Sequence, residues 1–126
     1  GGVAYIYHPS LTINSSQRVT GYTVYDSDNI ITESNGIITL PNSGNYFVTF
    51  EGAYYSNSDG DYYQVEYKKN ASVILSSFVT SSSNKNLYFP FSATAGDTLE
   101  INVEKLVTTV ATAVATDVHI TIVKMH

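Results

Sequence analysis

Apolar and polar residues alternate with a period of two along most of this chain, and almost nowhere with a helical period. The clearest case is Tyr46-Phe47-Val48-Thr49-Phe50-Glu51. Side chains alternate along a strand, so Tyr46, Val48 and Phe50 share one face and Phe47, Thr49 and Glu51 the other. The first set is the predicted core. The second begins with an aromatic residue, which is unusual for a face turned to water.

The same period predicts strands on either side. Val3 to His8 reads as a strand stopped by Pro9, and Leu11 to Asn14 as a short one. Val19 to Tyr25 follows, then a polar loop from Asp26 to Asn29. Asn35-Gly36 is a turn before Ile37 to Leu40. Gly44 to Tyr55 is the long alternating strand, and Asn57 to Asp61 (NSDGD) a turn. Tyr62 to Lys68 places Tyr63, Val65 and Tyr67 together, and Asn70-Ala71 closes a hairpin into Val73 to Val79. After a polar loop at Ser81 to Asn84, Leu87, Phe89 and Phe91 share a face. Ala95-Gly96-Asp97 turns into Leu99 to Val103. Val107 to Ala115 is rich in Thr and Val, which disfavour helix, and reads as a loop or strand edge. Val118 to Val123 is the last strand. About eight to ten strands without a repeat predict an all-β, two-sheet antiparallel jelly-roll sandwich. In such a fold Val3–His8 pairs with Val118–Val123, which makes Tyr5, Tyr7, His119 and Thr121 neighbours on one face.

Composition narrows the class. A length of 126 residues predicts one domain over 1–126, with Gly1-Gly2 read as a cloning remnant or the end of an upstream segment. Charged residues make up 13%, against roughly 25% in ordinary soluble domains. Ser, Thr, Asn and Tyr supply the polarity, a pattern that suits an extracellular β-protein. The net charge of −5 argues against a nucleic-acid partner. No apolar run is long enough for membrane insertion. Cysteine is absent, so there is no disulfide framework and no thiolate chemistry. A cysteine-free outer-surface domain fits bacteria or phage better than an animal secreted protein.

Four ordered stretches resemble a known family. Gly44-x-Tyr46-x-Val48-x-Phe50 is similar to the G-x-Y-x-F-x-F strand of complement C1q globular heads. Gln64 to Asn70 resembles that family's V-x-L-x-K-N-G hairpin, and Ala95 to Ile101 its P-G-D-x-V-x-L turn and strand. Val118 to Val123 stands where the family ends in an aliphatic strand. The resemblance covers roughly residues 36 to 126. The C-terminal strand lacks the aromatic F-S-G-Y-L-L ending, and the Ala/Thr/Val run is more similar to the bacterial branch, such as C-terminal domains of collagen-like spore-surface glycoproteins. The resemblance implies a C1q/tumour-necrosis-factor-like jelly roll that forms a homotrimer, often after a collagen-like stalk, at an extracellular, cell or spore surface.

The aromatic content supports an oligomer on its own. Eleven Tyr serve 126 positions, and Tyr5, Tyr7, Phe47 and Tyr88 fall on second faces of their strands. A contiguous aromatic surface marks an interface, and obligate homo-oligomers bury over about 2,000 Å². The expected trimer-interface residues are Tyr5, Tyr7, Phe47, Tyr88 and His119.

Other chemistry is sparse. His8, His119 and His126 accompany no G-x-S-x-G nucleophile motif and no recognisable triad spacing, so no catalytic residue is expected. Asn57, Asp59 and Asp61 surround a glycine and carry oxygen ligands suited to calcium, but lack the distal Glu of an EF-hand. A plain turn is the simpler reading; no cofactor is expected, with calcium at this turn as the alternative. Tyr54, Tyr55, Tyr62 and Tyr63 flank that turn and have the chemistry to stack on sugar rings, although core or intersubunit contact explains alternate Tyr equally. The expected function is a non-enzymatic trimerising head of a bacterial surface or spore-coat filament, with host or surface glycan or protein ligands met by its loops. The alternatives are the carbohydrate-binding head of a phage tail fibre and a sugar-binding module attached to an enzyme.

Overall fold

The computed structural model describes residues 1–13, 16–56, 62–80, 84–106 and 113–126, the side chains at 54–56, 84, 85 and 113 excepted. Its strands are β1 (Gly2–Thr12), β2 (Gln17–Arg18), β3 (Thr23–Tyr25), β4 (Thr32–Ser34), β5 (Ile37–Thr39), β6 (Gly44–Ser56), β7 (Tyr62–Lys69), β8 (Ser72–Thr80), β9 (Asn84–Ala93), β10 (Thr98–Lys105) and β11 (Ala113–Lys124). They form two antiparallel sheets. One has five strands in the order β3-β1-β11-β6-β9; the other runs β4-β5-β10-β7-β8, with β2 also pairing β10. This is the all-β jelly-roll sandwich that the alternation predicts.

The inner faces are those expected. Tyr46, Val48 and Phe50 are fully buried, as are Tyr63, Val65 and Tyr67 of the facing sheet. Leu99, Ile101 and Val103 join them from β10, and Val118, Ile120 and Ile122 from β11. A tyrosine in such a core must place its hydroxyl. Tyr46 donates to the Asn42 carbonyl at 2.6 Å, and Tyr67 donates to the Leu87 carbonyl. Burial pushes the Tyr67 phenol well above its ordinary value.

The chain ends pair as expected: Val3 lies opposite Val123 and His8 opposite Val118. Three expectations are corrected. Pro9 does not stop the first strand; β1 continues through Thr12 and takes in Leu11. Its neighbour β3 pairs only with Tyr5, Ile6 and Tyr7, so the flank at Pro9 is open on that side, where a residue without an N–H is tolerated. The Val19–Tyr25 segment is not one strand: only Thr23–Tyr25 is, as β3 beside β1, while β2 ends just before the segment at Arg18 and joins the other sheet. The last strand starts at Ala113, earlier than Val118, while residues 107–112 lie outside the described set. A register shift between Thr116 and His119 explains the later reading. Asp117 sits in this bulge at φ +50°, and the buried positions pass from Ala115 to Val118, breaking the period of two.

Turn chemistry locks the ends of the sandwich. Asn35-Gly36 and Asn70-Ala71 both have positive φ at both positions, the signature of type I′ hairpin turns. Only glycine fits at 36, since a Cβ would stand 2.5 Å from the Val19 carbonyl oxygen. Asp97 ties three segments together. Its carboxylate accepts from the Thr94 N–H at 2.9 Å and the Asn70 side-chain amide at 3.1 Å, and its carbonyl accepts from Leu40 N–H at 2.9 Å. The Thr94 bond first, then Asn70 and nearby Lys69, hold the Asp97 carboxyl below its ordinary value.

Candidate functional site

The five-stranded sheet turns its second face outward, and register fixes what it displays. One row across the strands is Tyr25, Tyr5, Thr121, Thr49 and Tyr88. The next is Thr23, Tyr7, His119, Glu51 and Asn86, and a third is Val3, Val123, Phe47 and Pro90. All five residues expected at an interface, Tyr5, Tyr7, Phe47, Tyr88 and His119, therefore fall on one surface. They reach it from β1, β6, β9 and β11, far apart in sequence.

The surface is aromatic at both edges and polar in the middle. Tyr25, Tyr5 and Tyr88 are 59%, 55% and 54% exposed. Phe47 leans on Tyr88 with ring centroids 5.1 Å apart, and Tyr7 leans on His119 at 5.0 Å. The Tyr7 hydroxyl donates to Asp117 Oδ1 at 2.7 Å, and that bond raises the phenol's pKa by stabilising its protonated form. The positive φ of Asp117 at the bulge aims its carboxylate along this face. Glu51 stands directly across from His119 on the neighbouring strand.

Tyr25 is a residue that sequence reasoning missed. Its strand, Thr23–Tyr25, is too short for alternation to mark the face it shows. Of the tyrosines expected to meet ligand, Tyr63 is corrected: it is fully buried in the core, because the parity of β7 places it with Val65 and Tyr67. Tyr62, one residue earlier, faces outward and packs edge-on against Phe78, with centroids 5.6 Å apart. The Tyr54 and Tyr55 side chains, and the expected calcium ligands Asn57, Asp59 and Asp61, lie outside the described residues. Among the described residues no group of three His, Cys, Asp or Glu is gathered to hold a metal.

The histidines are separated. His8 accepts from the Ser10 N–H at 3.3 Å, and burial lowers its pKa. His119 lies on the aromatic face. The His126 carbonyl accepts from Asn45 N–H at 2.8 Å, while Met125 N–H donates to the Asn45 carbonyl at 2.7 Å. Among the described residues no helix is long and apolar enough to cross a membrane.

Strand order and paired sheets define the chain as a tumour-necrosis-factor-like jelly roll. Solved structures share that architecture over nearly their whole length. Pika GITRL aligns with a TM-score of 0.62 at 16% identity, covering 99% of this chain and 97% of that one. Murine APRIL aligns at 0.66 and 10% identity, covering 98% and 99%. The vertex protein P5 of PRD1 aligns at 0.76 and 14% identity, covering 99% and 97%. No protein-family model and no curated protein sequence matches the chain. At these identities the similarity is one of fold, and it does not show the collagen-like spore-surface branch.

Proposed function

We propose that this chain is a non-catalytic head that assembles as a homotrimer through the outward face of its five-stranded sheet. The observation that carries this reading is the half-exposed aromatic set Tyr25, Tyr5 and Tyr88 on one sheet face. Surfaces of this kind, with large rings and few charges, are characteristic of interface cores. The placement also suits a ring. Tyr25 and Tyr5 lie toward one edge of the sheet, and Tyr88 with Phe47 toward the other. A closed ring needs two different patches that meet head to tail, and the two edges of this face supply them. The likeness to tumour-necrosis-factor-type ligands agrees in fold.

The setting that fits is the distal end of an extracellular filament on a bacterial cell or spore, where trimerisation would register a collagen-like stalk. A second reading is a viral vertex or tail-fibre head, which the likeness to the PRD1 vertex protein favours. Antibody labelling of intact cells and spores against purified virions separates the two. The trimer itself is tested by light scattering at micromolar concentration. The expected mass is three times the 13.8 kDa protomer. A clean monomer overturns the reading.

A further inference from the structure

We propose that the outward face of β7 and β8, centred on Phe78 and Tyr62, binds a neutral hexopyranose unit of a glycan. This surface belongs to the other sheet, on the opposite side of the sandwich from the oligomer face, so it is independent of the trimer reading.

Parity decides which side chains meet there. Tyr63, Val65 and Tyr67 are buried, so Tyr62, Gln64 and Glu66 point outward from β7. Register sets Tyr62 beside Thr80, and Gln64 beside Phe78. On β10, Val103 is buried and Glu104, opposite Gln64, points outward. Phe78, a large apolar residue, is 54% exposed. Tyr62 meets it at an interplanar angle of 83°, a T-shaped contact that braces both rings. Tyr62, Phe78 and Thr80 line a shallow hollow of about 250 Å³. That is below the roughly 300–1,000 Å³ of drug-sized sites, and suits a single ring.

The polar surroundings choose among ligands. An edge-to-face pair uses one ring face for its own contact and leaves broad aromatic surface open, which suits the flat apolar side of a pyranose. Gln64 both donates and accepts, and Glu104 and Glu66 accept from hydroxyls. The basic residue in the outward row of β7, Lys68, lies at the far end, opposite Val73 and Glu100. Among the described residues the outward-facing charges beside the rings are Glu66 and Glu104, while Lys105, paired with Tyr63, is buried; acidic neighbours disfavour sialylated, sulfated or phosphorylated sugars. Glu104 stands two strands from Phe78, about 10 Å at ordinary strand spacing, and Glu66 is a closer, diagonal neighbour of Phe78 across the β7–β8 pair. Hydroxyls spread around a sugar reach such a distance through the chain of neighbours Gln64 and Glu104.

The test is an NMR titration with D-glucose, D-galactose and N-acetyl-D-glucosamine, with N-acetylneuraminic acid and choline as charged controls. The expected result is saturable shifts from at least one neutral sugar, weakened about tenfold or more by Phe78→Ala and by Gln64→Ala, and largely kept by Phe78→Tyr. Thermal unfolding verifies that each variant is folded; if Phe78→Ala is not, Gln64→Ala and Tyr62→Ala decide. Phe47→Asp, on the other sheet, should leave the shifts unchanged whatever it does to assembly. The proposal is overturned if no neutral sugar gives saturable shifts. It is equally overturned if the charged controls bind better, or if folded ring and amide variants bind like the parent.

Discussion

Replacing Phe47 with Asp separates assembly from folding. Phe47 is half-buried on the outward face and packs on Tyr88 at 5.1 Å, whereas Phe50, three residues on, is fully enclosed between the sheets. Covering Tyr5, Tyr25 and Tyr88, each a little over half exposed, removes on the order of 300 Å² from water per protomer, or roughly 8 kcal/mol gross. Association costs about 4–15 kcal/mol in lost freedom, so the margin for assembly is narrow. A carboxylate at position 47 must be desolvated beside Tyr88 at a cost of several kcal/mol. Even about 3 kcal/mol raises a dissociation constant on the order of a hundredfold. In the isolated protomer the same carboxylate keeps most of its water, and the loss is limited to partial packing on Tyr88, about 1 kcal/mol. Phe50→Ala should show the converse, destabilising the protomer itself by about 3–5 kcal/mol through a core cavity. Sedimentation velocity across a dilution series reads the assembly, and denaturant unfolding of the dissociated protein reads the fold. Phe47 is not an interface residue if Phe47→Asp assembles with the parent's affinity, or if its protomer is as destabilised as that of Phe50→Ala.

Further predictions concern the turns and the clasp that hold the sandwich ends. Ala71 carries φ +67°, so Ala71→Gly should stabilise the protein by about 1 kcal/mol and raise the thermal midpoint; a lower midpoint would contradict the left-handed turn. The lowered pKa of Asp97 makes stability pH-dependent. Its folded value lies below the unfolded one, so the contribution is complete above about pH 4 and is lost as pH falls through the folded value. Thermal midpoints should decline on acidification, and less steeply in Asp97→Asn; an identical acid slope in the two proteins would remove Asp97 as the cause. A Cβ on Gly44 would stand 2.1 Å from the His126 carbonyl oxygen. Gly44→Ala should therefore displace the C-terminal residues and cost about 1–3 kcal/mol, with faster hydrogen exchange at the Asn45 and Met125 amides. Unchanged exchange would show that the clasp yields without loss.

Much of the candidate surface was legible before folding, for a simple reason. A period of two separates the faces of a strand, and an aromatic residue on the second face stands out. Phe47 opposite Val48, and Tyr5 and Tyr7 opposite Ile6, were visible in this way. Tyr25 and Phe78 were not. Tyr25 sits in a strand only three residues long, too short to show a period. Phe78 lies beyond the register shift that follows Tyr67, where the pairing of β7 and β8 changes step.

What the sequence determined by itself is the fold class and the inner face of each long strand, because local alternation, Asn-Gly turns and prolines act through near neighbours. Tertiary structure alone decided which outer faces belong together. Tyr5, Phe47, Tyr88 and His119 meet because β1, β6, β9 and β11 are adjacent in one sheet, an outcome of pairing between residues up to the full chain length apart. It also decided that Pro9 is passed rather than obeyed and that Asp117 resets the alternation. Both follow from which neighbour lies beside a residue, a fact that no local pattern contains.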